Sequence, residues 1–549
     1  MSRDRALGAG LTLATLAAVA TLALATPTRS GFWPALAGGE RILAAGVAHA
    51  EPDSYTAPAS AADPAWAAQA LLALLWHRGG RTALLALKAA VLTGTFGLVL
   101  LTARARGVGA LAGAATVLLA AWAGSEFWQV RPALFTYFGL AALLWLLRPG
   151  WERRPRSLAL VPALAALWAN LDPGFLAAGP VIAVTVAGSA LPRLADPARR
   201  REGARVLALG AAVAAGAGLA ALATPFGPRT LATAWLAGRD VPLMAATAEW
   251  FGPNFHHPGF RGFELLLLLL FPAFARGRRR LTAVDVGLTL VFAHLALASM
   301  RHIPLFAIAA APALAGALET ALAAPAAVRG GRLREAIRRG LPSIGGALAS
   351  SRAPVAGAVL AIGLGVAVYW AATVRVGLTP WQVDLDEGRY PARTVAFIRA
   401  ERLPAPLFSV GAWGGYELWR LSPDYRMFVG AQPFAHPRAV LGDFVEVVHG
   451  GARWAAVLDR WDVQTLLAVP GSTLAELARL SGRWRLVFTA RDAAVFVRDS
   501  EANRSVLARL GLEAREAGPA QAAGPAPDGA VRMVTVASGP APSRPPVPR

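Results

Sequence analysis

The chain has no cysteine and a single lysine, Lys88. The first absence excludes disulfides, thiol catalysis and cysteine-ligated zinc. The second leaves arginine to carry nearly all of a net charge of +21. Charge itself is scarce, at 16% of 549 residues against 55% hydrophobic. With its positive mean hydropathy, this balance is too apolar for a soluble protein of such length and points to a membrane. Nucleic acid, the other partner a basic chain suggests, is set aside. The arginines sit in short clusters between apolar runs, where they mark cytoplasmic connections.

A bilayer span needs roughly 20 apolar residues. Eleven segments approach that: 6–26, 82–103, 107–124, 131–148, 157–171, 174–192, 204–224, 262–276, 281–299, 302–323 and 354–374. The arginines test the count, because clusters belong on the inner side. Starting with Arg3 and Arg5 inside, the inner connections receive Arg104 and Arg106, Arg153 to Arg156, Arg199 to Arg201, Arg278 to Arg280, and Arg329 to Arg339. A further span at 66–77 would invert every later cluster, so that stretch is expected to be an interfacial or half-inserted helix. The first segment is read as a span because its apolar run is long for a cleaved signal peptide.

These patterns predict a mainly α membrane bundle of about 11 transmembrane helices over residues 1–375, with outward loops at 27–81 and 225–261. A small α/β extracytoplasmic domain follows over 380–499, then a disordered Pro/Ala-rich tail over 500–549. In the domain, β-type runs at Leu407–Val410, Met427–Val429, Thr465–Val469, Trp484–Phe488 and Ala494–Val497 alternate with helical stretches at 391–402 and 472–481. Gly411, Gly414 and Gly415 lack a Walker or dinucleotide spacing and read as a turn.

Several motifs carry a family resemblance. They are GERILAAGVAHAEPDSYT from Gly39, the Trp66 helix with Gly79-Gly80, Arg131-Pro132, WANLDPGF from Trp168, ATPFG from Ala223, Glu249-Trp250, RHIPLF from Arg301 and SVGAWGGYELWRL from Ser409. In this order they resemble bacterial GT-C-type membrane glycosyltransferase-like proteins, relatives of the polyprenyl-phosphate-sugar mannosyltransferases. The resemblance covers nearly the whole chain. It implies a multi-pass inner-membrane protein transferring a sugar from a polyprenyl-phosphate donor to a glycan or lipid acceptor during cell-envelope assembly. It also implies an acidic residue acting in the first outward loop. Three polar positions depart from the family pattern. Ser30-Gly31-Phe32-Trp33-Pro34 stands where an Asp precedes a Trp-His pair, Asp172 where a His is expected, and Gly430-Ala431-Gln432 in place of Asp-Gly-Arg. An inactive descendant therefore stands beside the active enzyme.

Transfer to a hydroxyl needs a base, and the departing phosphate needs cations. Glu51 and Asp53 are the expected catalytic carboxylates, with Glu40 near substrate. Arg131, Arg301 and His302 lie at outward span ends, suited to a lipid phosphate or to interfacial anchoring. Asn170, Asp172 and Glu249 complete the expected substrate contacts. A divalent metal stays open, through His256-His257 with Glu249 and either His49 or Asp53, although adjacent histidines lack a metal-motif spacing. Asp285 reads as an interfacial helix start. The alternative function is a non-catalytic lipid-binding or assembly protein. A transporter is disfavoured because the chain lacks internal repeat symmetry. Convergence of Glu51, Asp53, Arg131 and Arg301 on one cavity would favour the enzyme.

Overall fold

A computed structural model describes residues 3–25, 31–49, 53–56, 62–237, 248–277, 281–323, 390–410, 413–430 and 436–512. The membrane part contains α1 (Arg3–Ala25), α2 (Phe32–Ala45), α3 (Trp66–Arg104), α4 (Ala110–Gly124), α5 (Ala133–Leu146) and α6 (Pro155–Ala169). It continues with α7 (Ala178–Ala195), α8 (Arg200–Ala220), α9 (Pro228–Ala237), α10 (Arg261–Gly277), α11 (Ala283–Ala298) and α12 (Ile303–Ala323). Among the described residues seven helices are long and apolar enough to cross a bilayer, and α5, α6 and α11 are shorter apolar helices. The expected span at 354–374 lies outside the described residues. Large apolar side chains such as Leu219, Phe271 and Leu290 remain exposed on the helix surfaces. A soluble fold would bury such a surface, whereas lipid covers it. The protein is a multi-pass membrane protein.

Local chemistry sets the helix ends. Pro155 opens α6, where its missing N–H costs nothing. Thr282 and Asp285 cap α11 reciprocally, each side chain accepting from the other's backbone N–H. Asp285 also pairs with Arg106, so it marks a helix start as expected. Gly80 interrupts α3 with φ 54° and ψ −141°, a conformation that glycine adopts without strain. The break separates the 66–79 half from the apolar half that enters the bundle.

The C-terminal part is a small α/β unit. Its strands β1 (Leu407–Ser409), β2 (Thr465–Ala468), β3 (Trp484–Thr489) and β4 (Ala494–Arg498) form one sheet in the order β1-β2-β4-β3. β1 and β2 are parallel, with Phe408 opposite Leu466, and the other pairings are antiparallel. Around the sheet lie α13 (Ala392–Ala400), α14 (Gly414–Leu421), α15 (Arg438–Val448), α16 (Trp454–Arg460), α17 (Thr473–Leu480) and α18 (Arg504–Arg509). The expected strand at Met427–Val429 does not join the sheet; Met427 instead bridges Ser54 of the first connection. A 3-10 turn (Glu501–Asn503) and α18 lie past the boundary expected at 499, with Asn503 and Leu507 buried against the unit.

Two large apolar cores divide the molecule. One fills the helix bundle. The other unites the α/β unit with α2 and the first half of α3. Trp33 stacks on Trp419 at 4.7 Å between ring centroids and meets Tyr416 edge-on at 5.1 Å. The first connection therefore shares the core of the C-terminal unit.

Candidate functional site

A cavity of about 560 Å³ opens where the first turns of α5 and α7 meet the α11–α12 turn and α9. Its polar lining is Arg131, Thr136, Tyr137, Asp172, Arg301 and His302, with Trp235 and Trp250 on its walls. Short connections aim these side chains. Arg131 directly precedes Pro132, which caps α5. Asp172 caps the 3-10 turn Pro173–Ala177 by accepting from the Gly174 N–H at 2.8 Å. Arg301 and His302 lie in the 3-10 turn Met300–His302 between α11 and α12.

Each charged group has a defined partner. Arg131 Nη1 donates to both oxygens of Glu249, at 2.9 and 2.8 Å. The Glu249 segment is itself fixed: its carbonyl accepts from the Ser299 hydroxyl at 2.9 Å, and the Phe251 carbonyl accepts from the Met300 N–H at 2.8 Å. Arg301 lies over the Trp250 ring, 4.2 Å from its centroid, a cation–π arrangement that leaves the guanidinium edge for an anion. Asp172 accepts from Thr136, whose oxygen accepts from Trp168 Nε1 at 2.9 Å. Burial pushes the Asp172 carboxyl up, opposed by these hydrogen bonds and by the charges of Arg301 and Arg131. Gly174 permits this packing: a Cβ there would lie 2.3 Å from Thr136 Oγ1 and 2.6 Å from Asp172 Oδ1.

An apolar groove of about 470 Å³ between α7 and α8 meets this cavity. Both are lined by Leu176 and Gly179, and the groove continues along Ile182, Val186, Leu207 and Ala214. Polar head space and apolar groove thus adjoin across Leu176 and Gly179, an arrangement suited to an anionic amphiphile.

Several expected site residues are placed elsewhere. Asp53 is buried in an ion pair with Arg41, and its carbonyl accepts from the Met427 N–H at 2.8 Å. Glu40 accepts from Trp419 Nε1 at 3.0 Å. Both fasten the first connection to the C-terminal unit, and neither lines the cavity. Asn170 accepts from Trp66 Nε1 at 2.8 Å and donates to the Ala166 and Ala223 carbonyls, so its amide holds three segments together. Glu51 lies outside the described residues. Among the described residues no group of three or more His, Asp or Glu gathers in a metal-binding arrangement. His257 instead accepts from the Gly259 N–H at 3.2 Å, and Glu249 is held by Arg131. Sequence reasoning missed Thr136, Tyr137 and Trp250. Thr136 and Tyr137 sit just after Arg131 in an otherwise apolar helix, a polar interruption that was visible in principle.

No known protein-family profile and no curated protein sequence matches the chain. Among solved structures, the apo oligosaccharyltransferase of Archaeoglobus fulgidus is 14% identical, with a TM-score of 0.48 over 83% of this chain and 69% of that one. ArnT from Cupriavidus metallidurans, bound to undecaprenyl phosphate, is 15% identical, with a TM-score of 0.47 over 88% and 97%. At such values the likeness is one of outline, and the chemistry of the cavity rests on its own residues.

Proposed function

We propose that this protein is a membrane glycosyltransferase that takes a polyprenyl-phosphate-linked sugar for cell-envelope glycan assembly. The observation carrying this reading is the junction of a two-arginine cavity with an apolar groove. Arg131 and Arg301 would hold the lipid phosphate, and the groove between α7 and α8 would receive the first isoprenoid units. The arginine clusters at the other helix ends favour an outer-face position for the cavity.

In this account an acceptor hydroxyl attacks the anomeric carbon of the donor. The bond between that carbon and the phosphate oxygen breaks, and the electron pair stays on the phosphate, where the arginines stabilise it. The hydroxyl proton passes to Asp172, whose raised affinity for a proton suits a general base. Both hydrogen bonds to Asp172 fall on Oδ1, leaving Oδ2 for the acceptor. Asp53, paired with Arg41, is assigned to docking the first connection.

A second reading, lipid binding without transfer, is favoured by Asp53, an expected catalytic carboxylate that pairs with Arg41 away from the cavity. Consumption of a panel of polyprenyl-phosphate sugars by the purified protein separates the two. Turnover lost in Asp172→Asn and retained in Asp53→Asn supports the enzyme; binding without turnover of any donor supports the second reading.

A further inference from the structure

A second polar cavity, of about 290 Å³, lies at the opposite ends of the same helices. α5 contributes Ala133 to the first cavity, with Arg131 just before it, and is followed by Leu147 and Pro149 in the second. α11 contributes Leu295 to the first, and its start at Thr282 and Val284 lines the second. With 1.5 Å rise per helical residue, the sixteen steps from Arg131 to Leu147 separate the two by about 24 Å.

Three arginines line this second cavity: Arg106 after α3, Arg193 in the last turn of α7 and Arg199 just before α8. Glu152 is the carboxylate in the lining. Arg193 donates through Nη2 to Glu152 at 2.9 Å, Arg106 pairs with Asp285, and Arg199 pairs with Glu202 at 3.0 Å. These pairs leave donors over. Among the described residues, the buried Nε atoms of Arg106 and Arg193 make no hydrogen bond. Arg193 Nε lies 3.1 Å from Glu202 but does not reach hydrogen-bond geometry. A buried guanidinium N–H without an acceptor is costly. The Ser189 hydroxyl oxygen accepts from Trp151 Nε1 at 3.3 Å, so its own proton remains to be donated. The lining thus sets three guanidinium groups against one carboxylate, with two buried Nε donors unbonded, around a space large enough for a tetrahedral anion.

We infer that this cavity is a second binding site, for a phosphate-bearing anion held by Arg106, Arg193 and Arg199 at the end of the bundle remote from the Arg131–Arg301 cavity. The phosphate can come from an anionic phospholipid headgroup or from a soluble phosphate. Guanidinium geometry fits both, and the site does not depend on the glycosyltransferase reading.

The test uses the full-length protein in detergent with two probes. Sodium phosphate is titrated against sodium chloride at matched ionic strength while thermal stability is followed. Retention of phosphatidylglycerol against phosphatidylcholine is measured by native mass spectrometry. Arg193→Gln should weaken the response to at least one probe by about tenfold or more, since a charge-assisted donor is lost. Glu152→Gln should strengthen it several-fold, because it removes the anion that competes for Arg193. A purely structural ion pair predicts no such gain. Glu152→Gln alone decides the matter if Arg193→Gln fails to fold. A response confined to phosphatidylglycerol identifies the lipid headgroup; a response to inorganic phosphate identifies a soluble ligand. Wild-type protein indifferent to both probes, or a Glu152→Gln variant that binds no better than wild type, overturns the inference.

Discussion

Arg131 and Glu249 are 118 residues apart in sequence, yet one guanidinium nitrogen spans both carboxylate oxygens at the rim of the larger cavity. Glu249 occupies the place that an oxyanion of a ligand would take. Its side chain is 29% exposed, against 15% for Arg131, so the carboxylate is the partner able to swing away into solvent. Glu249→Gln should therefore strengthen binding of polyprenyl phosphate several-fold, while Arg131→Gln should weaken it by about tenfold or more. A lipid titration in detergent reads both, and equal affinities would remove Glu249 from the role of competitor.

Gly174→Ala should damage the site through packing. The added methyl group falls on Thr136 and Asp172, and overpacking of this kind costs about 1–3 kcal/mol. Gly179→Ala is the control, since nothing lies within 4 Å of a Cβ there. A lower thermal midpoint for the first variant alone is the expected result.

The C-terminal unit and the first connection should come apart if their aromatic contact is removed. Trp419 stacks on Trp33 and donates to Glu40, and because it is only partly buried its loss should cost less than the about 3–5 kcal/mol typical of a fully buried Trp. Trp419→Ala should expose the first connection to limited proteolysis while leaving the membrane helices intact. An unchanged cleavage pattern would mean that the rest of the shared core suffices.

Glu417 gives the α/β unit a pH dependence. The side chain is fully buried, and burial pushes its carboxyl up to about 8, with the Ser409 hydroxyl only partly opposing. The folded state then holds a proton that the unfolded state releases near the ordinary carboxylate value. Stability should fall as pH rises from about 4.5 toward 8 and level off above that. Glu417→Gln should flatten the profile and raise the midpoint at pH 8. Thermal scans of the two proteins across this range check the sign.

The helices on long apolar runs were readable because each depends on residues near in sequence, bounded by Pro155, by Gly80 or by the Thr282–Asp285 cap, whereas α2 and α9 lie in stretches expected as loops. β1, β2, β3 and β4 were readable for the same reason. Met427–Val429 has the composition of a strand, but Met427 pairs with Ser54, across more than 370 residues that local pattern does not link. The site divided similarly. Arg131, Asp172, Arg301 and His302 stand at helix ends facing one way, which span counting places on one side. Glu40 and Asp53 stand on that side too, yet Arg41, Trp419 and Met427 engage them, and those partners follow from the docking of the C-terminal unit. Acidic residues in a loop carry no local mark that distinguishes a docking contact from catalysis.

The most direct test of the central claim compares the purified protein's affinity for a polyprenyl phosphate with its affinity for the corresponding polyprenol, in wild type and in Arg131→Gln combined with Arg301→Gln. The two-arginine cavity predicts that wild type prefers the phosphate by about tenfold or more and that the double variant loses the preference while still binding the chain in its groove. Equal affinity of the wild type for both lipids would contradict the assignment of this cavity to a lipid phosphate.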